Sequence, residues 1–413
     1  MTDRFDILIS GASYSGAALA LALEKSLGGP AQQPLRIAIL DKAHEYAATG
    51  ARSPRAFSIT AASRNLLDYC GVWSGIANET QPVTQIEITD SALDAGIRPV
   101  LLTWDNTVGD CEPGSHIVPD ALLAEALRSA LARSSITRIY NVGALSITET
   151  PSGAQVECSD GQARLADLVV AAEGRISRLR DQAGIKSITW DYEQAGICTV
   201  ISHTKPHHGR ALQHFLPSGP FAILPLPGNR SCITWSEKSN EARRIMSLDE
   251  AAFLQEVEKR VAGRLGDINV EMRPASWPLN LRLSRSLIAE RLALVGDTAR
   301  GVHPIAGQGL NLGLKDVAAL TEVIVEGARI GLPPSDPDGL ERYERWRRFD
   351  STMSAAAYDG LNRLFSSDNT LLRSVREAGL GLVDRLPFAK SFFVNEAAGL
   401  SGEVPRLLRG ETL

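Results

Sequence analysis

The 413-residue chain predicts an α/β fold: a Rossmann-like dinucleotide domain, an antiparallel β-sheet domain inserted into it, and a helical C-terminal region. Three observations carry this reading. Phe5–Ser10, Gly11–Gly16 and Ala17–Leu23 form an apolar run, a glycine turn and an Ala/Leu-rich helical run, the opening of a β–α–β unit. From about Ile185 to Pro278 the texture changes to short strands between Pro/Gly turns. At Leu292 an apolar run returns and leads through Gly296-Asp297 and a glycine-rich loop into a helix from Asn311.

The elements follow in order. After the first helix, Gly28-Gly29-Pro30 and Pro34 lengthen the crossover to a second strand, Leu35–Leu40, which ends at Asp41. Asp120–Arg133 reads as an amphipathic helix with an acidic start. Ile136–Tyr140, Ala144–Glu149 and Gln155–Cys158 are expected as a small β-meander turning at Ser152-Gly153 and Asp160-Gly161. Leu168–Ala172 is apolar throughout, as in a strand buried on both faces. The inserted segment offers strands at Gly196–Ser202, Ala211–Leu216, Phe221–Pro225 and Ser231–Glu237, with one helix near Leu248–Ala262. Beyond Asp336 the pattern is helical over Leu340–Phe349, Met353–Phe365 and Thr370–Leu386. The chain thus divides at 1–184 and 286–335 for the two parts of the dinucleotide domain, 185–285 for the inserted sheet and 336–413 for the helical region.

Composition narrows the function class. With 44% hydrophobic and 22% charged residues the chain is ordinary globular protein, and a net charge of −5 argues against a nucleic-acid partner. Cys70, Cys111, Cys158, Cys198 and Cys232 are scattered without metal-ligand spacing and read as free thiols; no metal is expected. The pair His207-His208, near His203, lacks carboxylates at ligand spacing and reads as a solvated loop. No secretory leader and no run of about 18 apolar residues is seen, so a cytoplasmic protein is expected, with any membrane contact peripheral.

The chemistry-bearing motifs are glycine turns. Gly11-Ala12-Ser13-Tyr14-Ser15-Gly16 follows the dinucleotide fingerprint except at Ser13, where a glycine would let the backbone lie against a pyrophosphate. The Ser13 hydroxyl can itself reach a phosphate oxygen. Asp41, at the end of the second strand, is placed to accept hydrogen bonds from ribose hydroxyls. In Gly296-Asp297 and Gly307-Gln308-Gly309, glycines before a helix N-terminus suit a phosphate-bearing ligand.

The string Gly296-Asp297, His303-Pro304 and Gly307-Gln308-Gly309-Leu310-Asn311-Leu312-Gly313 resembles the second FAD motif of class A flavoprotein monooxygenases, most closely the ubiquinone-biosynthesis hydroxylases. Asp167–Arg180 resembles their middle motif, with Glu173 where Asp is usual and Arg175 and Arg178 nearby, and Arg55-Ala56-Phe57-Ser58-Ile59 resembles the segment after their first βαβ unit. The likeness runs from about residue 5 to the C-terminus.

The resemblance implies FAD held by Gly11, Ser13, Ser15, Gly16, Asp41, Lys42, Arg55, Glu173, Asp297, Gly307, Gln308, Gly309, Leu310 and Asn311. It implies that His303 and Pro304 border the oxygen site, and that Phe215, Leu224, Pro225 and Trp235 wall an aromatic ring and prenyl tail. Trp235 is equally readable as core, and Asp120, standing where an amide is usual, as a helix cap. Arg300 replaces the usual His after Gly-Asp-x-Ala, and the sequence supplies no reason for it.

The implied activity is hydroxylation of a polyprenylated phenol in ubiquinone biosynthesis with NADH or NADPH and O₂, through a flavin C4a-hydroperoxide. The helical tail, with Leu380, Leu386, Phe392 and Phe393 among Arg373, Arg385 and Lys390, either packs on its own domain or meets a membrane or partner protein. Two alternatives stand beside this reading: a hydroxylase of another aromatic substrate, and a non-catalytic subunit of a biosynthetic assembly in which Ser13, Asp120, Glu173 and Arg300 weaken FAD binding.

Overall fold

The computed structural model describes residues 3–28, 35–44, 53–91, 93, 98–109, 111–302, 307–365, 398–400 and 402–413. His303, Pro304, Gly29, Pro30, Pro34 and the tail residues 373–393 lie outside the described residues.

The first sheet is α/β in the doubly covered sense. Thr137–Tyr140, Ile37–Asp41, Asp3–Ser10 and Ala163–Ala171 run parallel in that order, and Leu292–Leu294 adds a further parallel strand beside Val169–Ala171. Ile7, Leu8, Ile9, Val169 and Val170 are fully buried, because helices cover both faces of a parallel sheet. Helix Tyr14–Leu27 packs on Gly309–Arg329 and Asp120–Arg133. One expectation needs correcting. Thr137–Tyr140 does not join the meander; it returns from helix Asp120–Arg133 to the parallel edge at Ile37–Asp41, as a crossover does. The meander is built instead from Ala144–Thr150, Gly153–Cys158 and the first half of Ala163–Ala171.

Among the described residues the second sheet has nine strands. The order is Arg300–Gly301, Ala275–Ser284, Ser187–His203, Arg230–Lys238, Gly219–Leu226, Arg210–Leu216, Gln85–Asp90 and Val100–Asp105, with Ile268–Val270 beside Ser187–His203. Gln85–Asp90 and Val100–Asp105, which the sequence division left with the first domain, join this sheet by parallel pairing of Gln85–Asp90 with Arg210–Leu216. Strand periodicity marks a strand but does not say which sheet it enters. The helix expected near Leu248–Ala262 is Glu250–Val261, capped by Asp249, which accepts the Ala252 N–H at 2.8 Å, and a second helix, Ser239–Met246, precedes it.

A small third sheet, Ala56–Thr60, Ser115–Pro119 and Gln81–Val83, lies between the other two. Its alternate residues divide between two cores: Ile59 and Val118 enter the core of the parallel sheet, Val83 and Ile117 that of the nine-stranded sheet. Pro337–Phe365 is one continuous helix where two were expected. Among the described residues no helix is long and apolar enough to cross a membrane.

Candidate active site

The parallel strands end in register. Ser10 stands beside Leu40 and Ala171, and Ala171 beside Leu294, so Gly11, Asp41, Glu173 and Gly296 all emerge at one carboxyl edge, where ligands of open α/β sheets bind. Gly11 has φ +112°, and a Cβ there would lie 2.2 Å from the Ala172 carbonyl oxygen; only glycine fits. Asp41 Oδ2 accepts the Ala12 N–H at 2.7 Å and Oδ1 the Ala43 N–H at 2.8 Å, so the carboxylate fixes the glycine turn as well as facing the edge. Ser13 precedes helix Tyr14–Leu27 without its side chain capping it, which leaves the first N–H groups of that helix free of a side-chain partner. Lys42 is exposed at the same edge. Ser15 is wedged between Gly296 and Gly313: a Cβ on either glycine would come within 2.6 and 2.8 Å of its hydroxyl. Gly16 is equally constrained, its would-be Cβ 1.9 Å from the Gly11 carbonyl oxygen.

Two acidic residues prove to be braces. Glu173 accepts Ser10 Oγ at 2.9 Å, Ser177 Oγ at 2.5 Å and the Leu179 N–H at 3.2 Å, tying the turn after Ala163–Ala171 to the neighbouring strand. Asp120 is not a cap; Pro119 holds that place. Its buried carboxylate accepts the Tyr14 hydroxyl and, at 2.7 Å, Ser53 Oγ, and lies 3.8 Å from Arg55 Nε. Burial, reinforced by the Asp120 charge, pushes the Tyr14 phenol well above its ordinary range. Arg55 stays half-exposed, its guanidinium over the Phe57 and Trp277 rings at 5.1 and 5.8 Å.

On the neighbouring turn, Gly296 takes φ +62° and Asp297 pairs loosely with Arg175 at 3.5 Å and is half-exposed. Gly307 takes φ +63° and a Cβ there would touch Ser58. Helix Gly309–Arg329 starts after Gln308 with no side-chain cap, so its leading N–H groups are available to an anion. Leu310 packs on the main core. The Asn311 side chain is engaged by protein: Oδ1 accepts the Thr60 N–H at 3.1 Å and Nδ2 donates to the Ser58 carbonyl at 2.8 Å, stitching the helix to strand Ala56–Thr60.

The same region holds residues the motif reading missed. Arg300 is buried against Asp316 at 2.7 Å, and Arg347, from helix Pro337–Phe365, reaches the same oxygen at 2.8 Å. Asp316 Oδ2 accepts the Gly296 N–H at 3.0 Å. Asp316 stands inside the apolar helix run that the sequence exposes, and a carboxylate there was the available signal. The loop at His207-His208 is solvated in part: His208 is exposed, while His207 is half-buried with its Nε2 on the Leu226 carbonyl, and the nearby His203 is buried and bonded to the Lys205 carbonyl and Ser231.

The nine-stranded sheet has two covered faces, and they separate the expected substrate residues. Trp235 is 1% exposed, with its ring stacked 6.0 Å from Phe253 of helix Glu250–Val261 and 4.9 Å from the Arg260 guanidinium. Pro225 shares the helix-facing side with Phe221 and Ile223 by the two-residue period. Both therefore belong to the core on the far side and leave the expected substrate wall. Leu224 faces the other way, packed with Ala56, Cys198 and Trp277, and Phe215 shares the face of Ala211. Strand Ala56–Thr60 joins this face to the cofactor edge. Its Ala56 end packs on the sheet; its Ser58–Thr60 end holds Asn311.

Sequence comparison agrees with the geometry. The family described as FAD binding domain matches residues 4–349. Ubiquinone hydroxylase UbiL of Rhodospirillum rubrum is 37% identical, over 99% of this chain and 93% of its own. The chain belongs to the class A FAD-dependent monooxygenases, in the ubiquinone-biosynthesis hydroxylase family. It is an FAD-dependent hydroxylase. The 3-demethoxyubiquinol 3-hydroxylase of Escherichia coli is 28% identical over 96% of this chain and 98% of its own. In fold it resembles p-nitrophenol 4-monooxygenase PnpA from Pseudomonas putida, with a TM-score of 0.77, 17% identity, and coverage of 98% of this chain and 100% of the other.

The edge fits FAD on its own terms. Gly11 and Gly296 hold left-handed turns packed on Ala172 and Ser15 that no Cβ could enter, and both flanking helices begin without side-chain caps, leaving their leading N–H groups for an anion. Of the departures from the family pattern, Asp120, Glu173 and Arg300 each have protein partners, so none of them projects an unpaired charge at the cofactor.

Proposed function

We propose that the chain hydroxylates the aromatic ring of a polyprenylated phenol in ubiquinone biosynthesis, using NADH or NADPH and O₂. Strand Ala56–Thr60 carries the reading, because it brings the apolar face of Leu224 and Phe215 beside the helix that starts at Gly309. An electron-rich ring on that face lies next to the cofactor edge. FAD bound here would supply the redox chemistry by which two electrons from the nicotinamide cofactor and one O₂ yield a hydroxylated ring, with the second oxygen atom leaving as water.

The chain's own residues bind, orient and exclude water. The N–H groups of the Gly11–Gly16 turn, with Ser13 and Arg55, meet the pyrophosphate charge. Asp41 meets the ribose hydroxyls while holding Ala12. The backbone of Gly307–Gly309 meets the flavin edge, with His303 and Pro304 bordering the oxygen side as the resemblance implies. Leu224 and Phe215 exclude water from the ring. A prenylated substrate dissolves in membrane, so the protein is read as working at a membrane surface from the cytoplasmic side.

The test is FAD titration of the purified protein, followed by product analysis with a phenol series of increasing prenyl length. Rates that rise with tail length support the reading. Equal or better rates on short soluble phenols overturn the substrate class, and a protein that takes up no FAD overturns the whole.

A further inference from the structure

We propose that Arg300 and Asp316 form a positioning pair that sets the cofactor-facing geometry; this deepens the FAD reading and rests on it. Arg300 occupies the place where the resemblance puts a histidine. Its guanidinium grips two successive turns of helix Gly309–Arg329, with Nη2 on Asp316 Oδ1 at 2.7 Å and Nη1 on the Leu312 carbonyl at 3.3 Å, and so ties strand Arg300–Gly301 to that helix. The other Asp316 oxygen accepts the Gly296 N–H at 3.0 Å. The side chains of Arg300 and Asp316 are 1% and 0% exposed, so solvent does not dilute the contact.

Three pieces of the cofactor edge meet at this point. Gly296 begins the turn that carries Asp297. Leu312 and Gly313 belong to the first turns of helix Gly309–Arg329. Ser15, of the dinucleotide turn, sits against both Gly296 and Gly313 with room for no additional atom. A planar two-point guanidinium locks strand Arg300–Gly301 onto the first turns of helix Gly309–Arg329 in a way that an imidazole or an ammonium does not. Arg300 touches no cofactor atom in this account; it acts through Gly296 and the helix start. Asp316 keeps Arg347 and Gly296 when Arg300 is removed, so the fold retains a paired carboxylate.

The experiment compares wild type with Arg300→Met and Arg300→Lys. It measures the FAD dissociation constant by fluorescence titration, the visible circular dichroism of the bound flavin, and the melting temperature without FAD. Arg300→Met is expected to raise the FAD dissociation constant about tenfold or more and to alter the flavin dichroism at temperatures where it is folded. Arg300→Lys, keeping the charge without the fork, falls between. A variant that melts earlier yet binds FAD with wild-type affinity and an unchanged dichroism overturns the proposal and leaves Arg300 a stability residue. If Arg300→Met does not fold, Arg300→Lys decides on the same criteria. A wild type that takes up no FAD ends both this inference and the reading it rests on; wild-type uptake with unaffected variants ends this inference alone.

Discussion

The carboxyl edge of the parallel sheet and the apolar faces of the nine-stranded sheet are built under different constraints. At the edge, backbone geometry selects the residues. Gly11 at φ +112° and Gly296 at φ +62° stand where any side chain meets a neighbour's atoms. On the nine-stranded sheet, packing selects them. Both faces are covered, one by helices Ser239–Met246 and Glu250–Val261 and the other by the small sheet, so both are apolar. A site written in backbone conformation shows itself in sequence, whereas a site written in side-chain volume looks like core.

The largest expected effect breaks the edge. Gly11→Ala adds a Cβ 2.2 Å from the Ala172 carbonyl oxygen in a left-handed backbone conformation. Strain and overlap together are expected to cost about 3 kcal/mol or more, and FAD uptake should be lost, as read by titration. Gly174→Ala is the control, because φ +80° is equally left-handed but nothing lies within 4 Å. It should cost roughly 1 kcal/mol and keep FAD. Equal effects of the two would mean that conformation alone, rather than close approach, governs the edge.

The next effect separates the two faces of the sheet. Trp235→Ala removes a ring stacked between Phe221, Phe253 and Arg260 and should destabilise by ~3–5 kcal/mol, with KM for a prenylated phenol unchanged at temperatures where the variant is folded. Leu224→Ala should do the reverse, leaving stability less affected and raising KM about tenfold. Denaturant melts and steady-state kinetics on both variants check this. A raised KM for Trp235→Ala with little loss of stability would return the ring to the substrate wall.

The same contrast explains what could be read in advance. Gly11, Asp41, Gly296 and Gly307 were legible because a turn of fixed geometry admits few residues at few spacings. The strands and helices of the parallel domain were legible because a sheet buried on both faces gives unbroken apolar runs, as at Leu168–Ala171. Trp235 was not assignable because the two-residue period says that a residue faces one side without saying which side meets the ligand. Arg300 had no account because its partner Asp316 is sixteen positions away on another element, and Arg347 further still; ion pairs made by tertiary packing leave no local pattern. Asn311 carried a motif position, and its side chain also holds strand Ala56–Thr60, a tertiary role that the motif alone does not reveal.

The smallest effect tests the layer between the two regions. His116 lies in strand Ser115–Pro119, its ring edge-on to Trp73 at 5.1 Å, and burial, with the Arg64 charge adding, lowers its pKa from 6.5 to about 4. The folded protein therefore binds this proton less readily than the unfolded chain. The sign follows: the contribution to stability is fully present above about pH 6.5 and is lost as pH falls toward 4. His116→Asn should flatten the pH dependence of the melting temperature across that window while changing it little at pH 8, because an amide does not titrate. If the slope is the same in both proteins, the proton is taken up elsewhere. Val118 and Ile117 beside His116 point into the two different cores, so protonation here should loosen the contact between the cofactor edge and the apolar face before either sheet melts. Wild-type FAD affinity that falls between pH 6.5 and 4 ahead of the far-ultraviolet signal, and a His116→Asn variant without that fall, would place the weakest joint of the molecule in this small sheet.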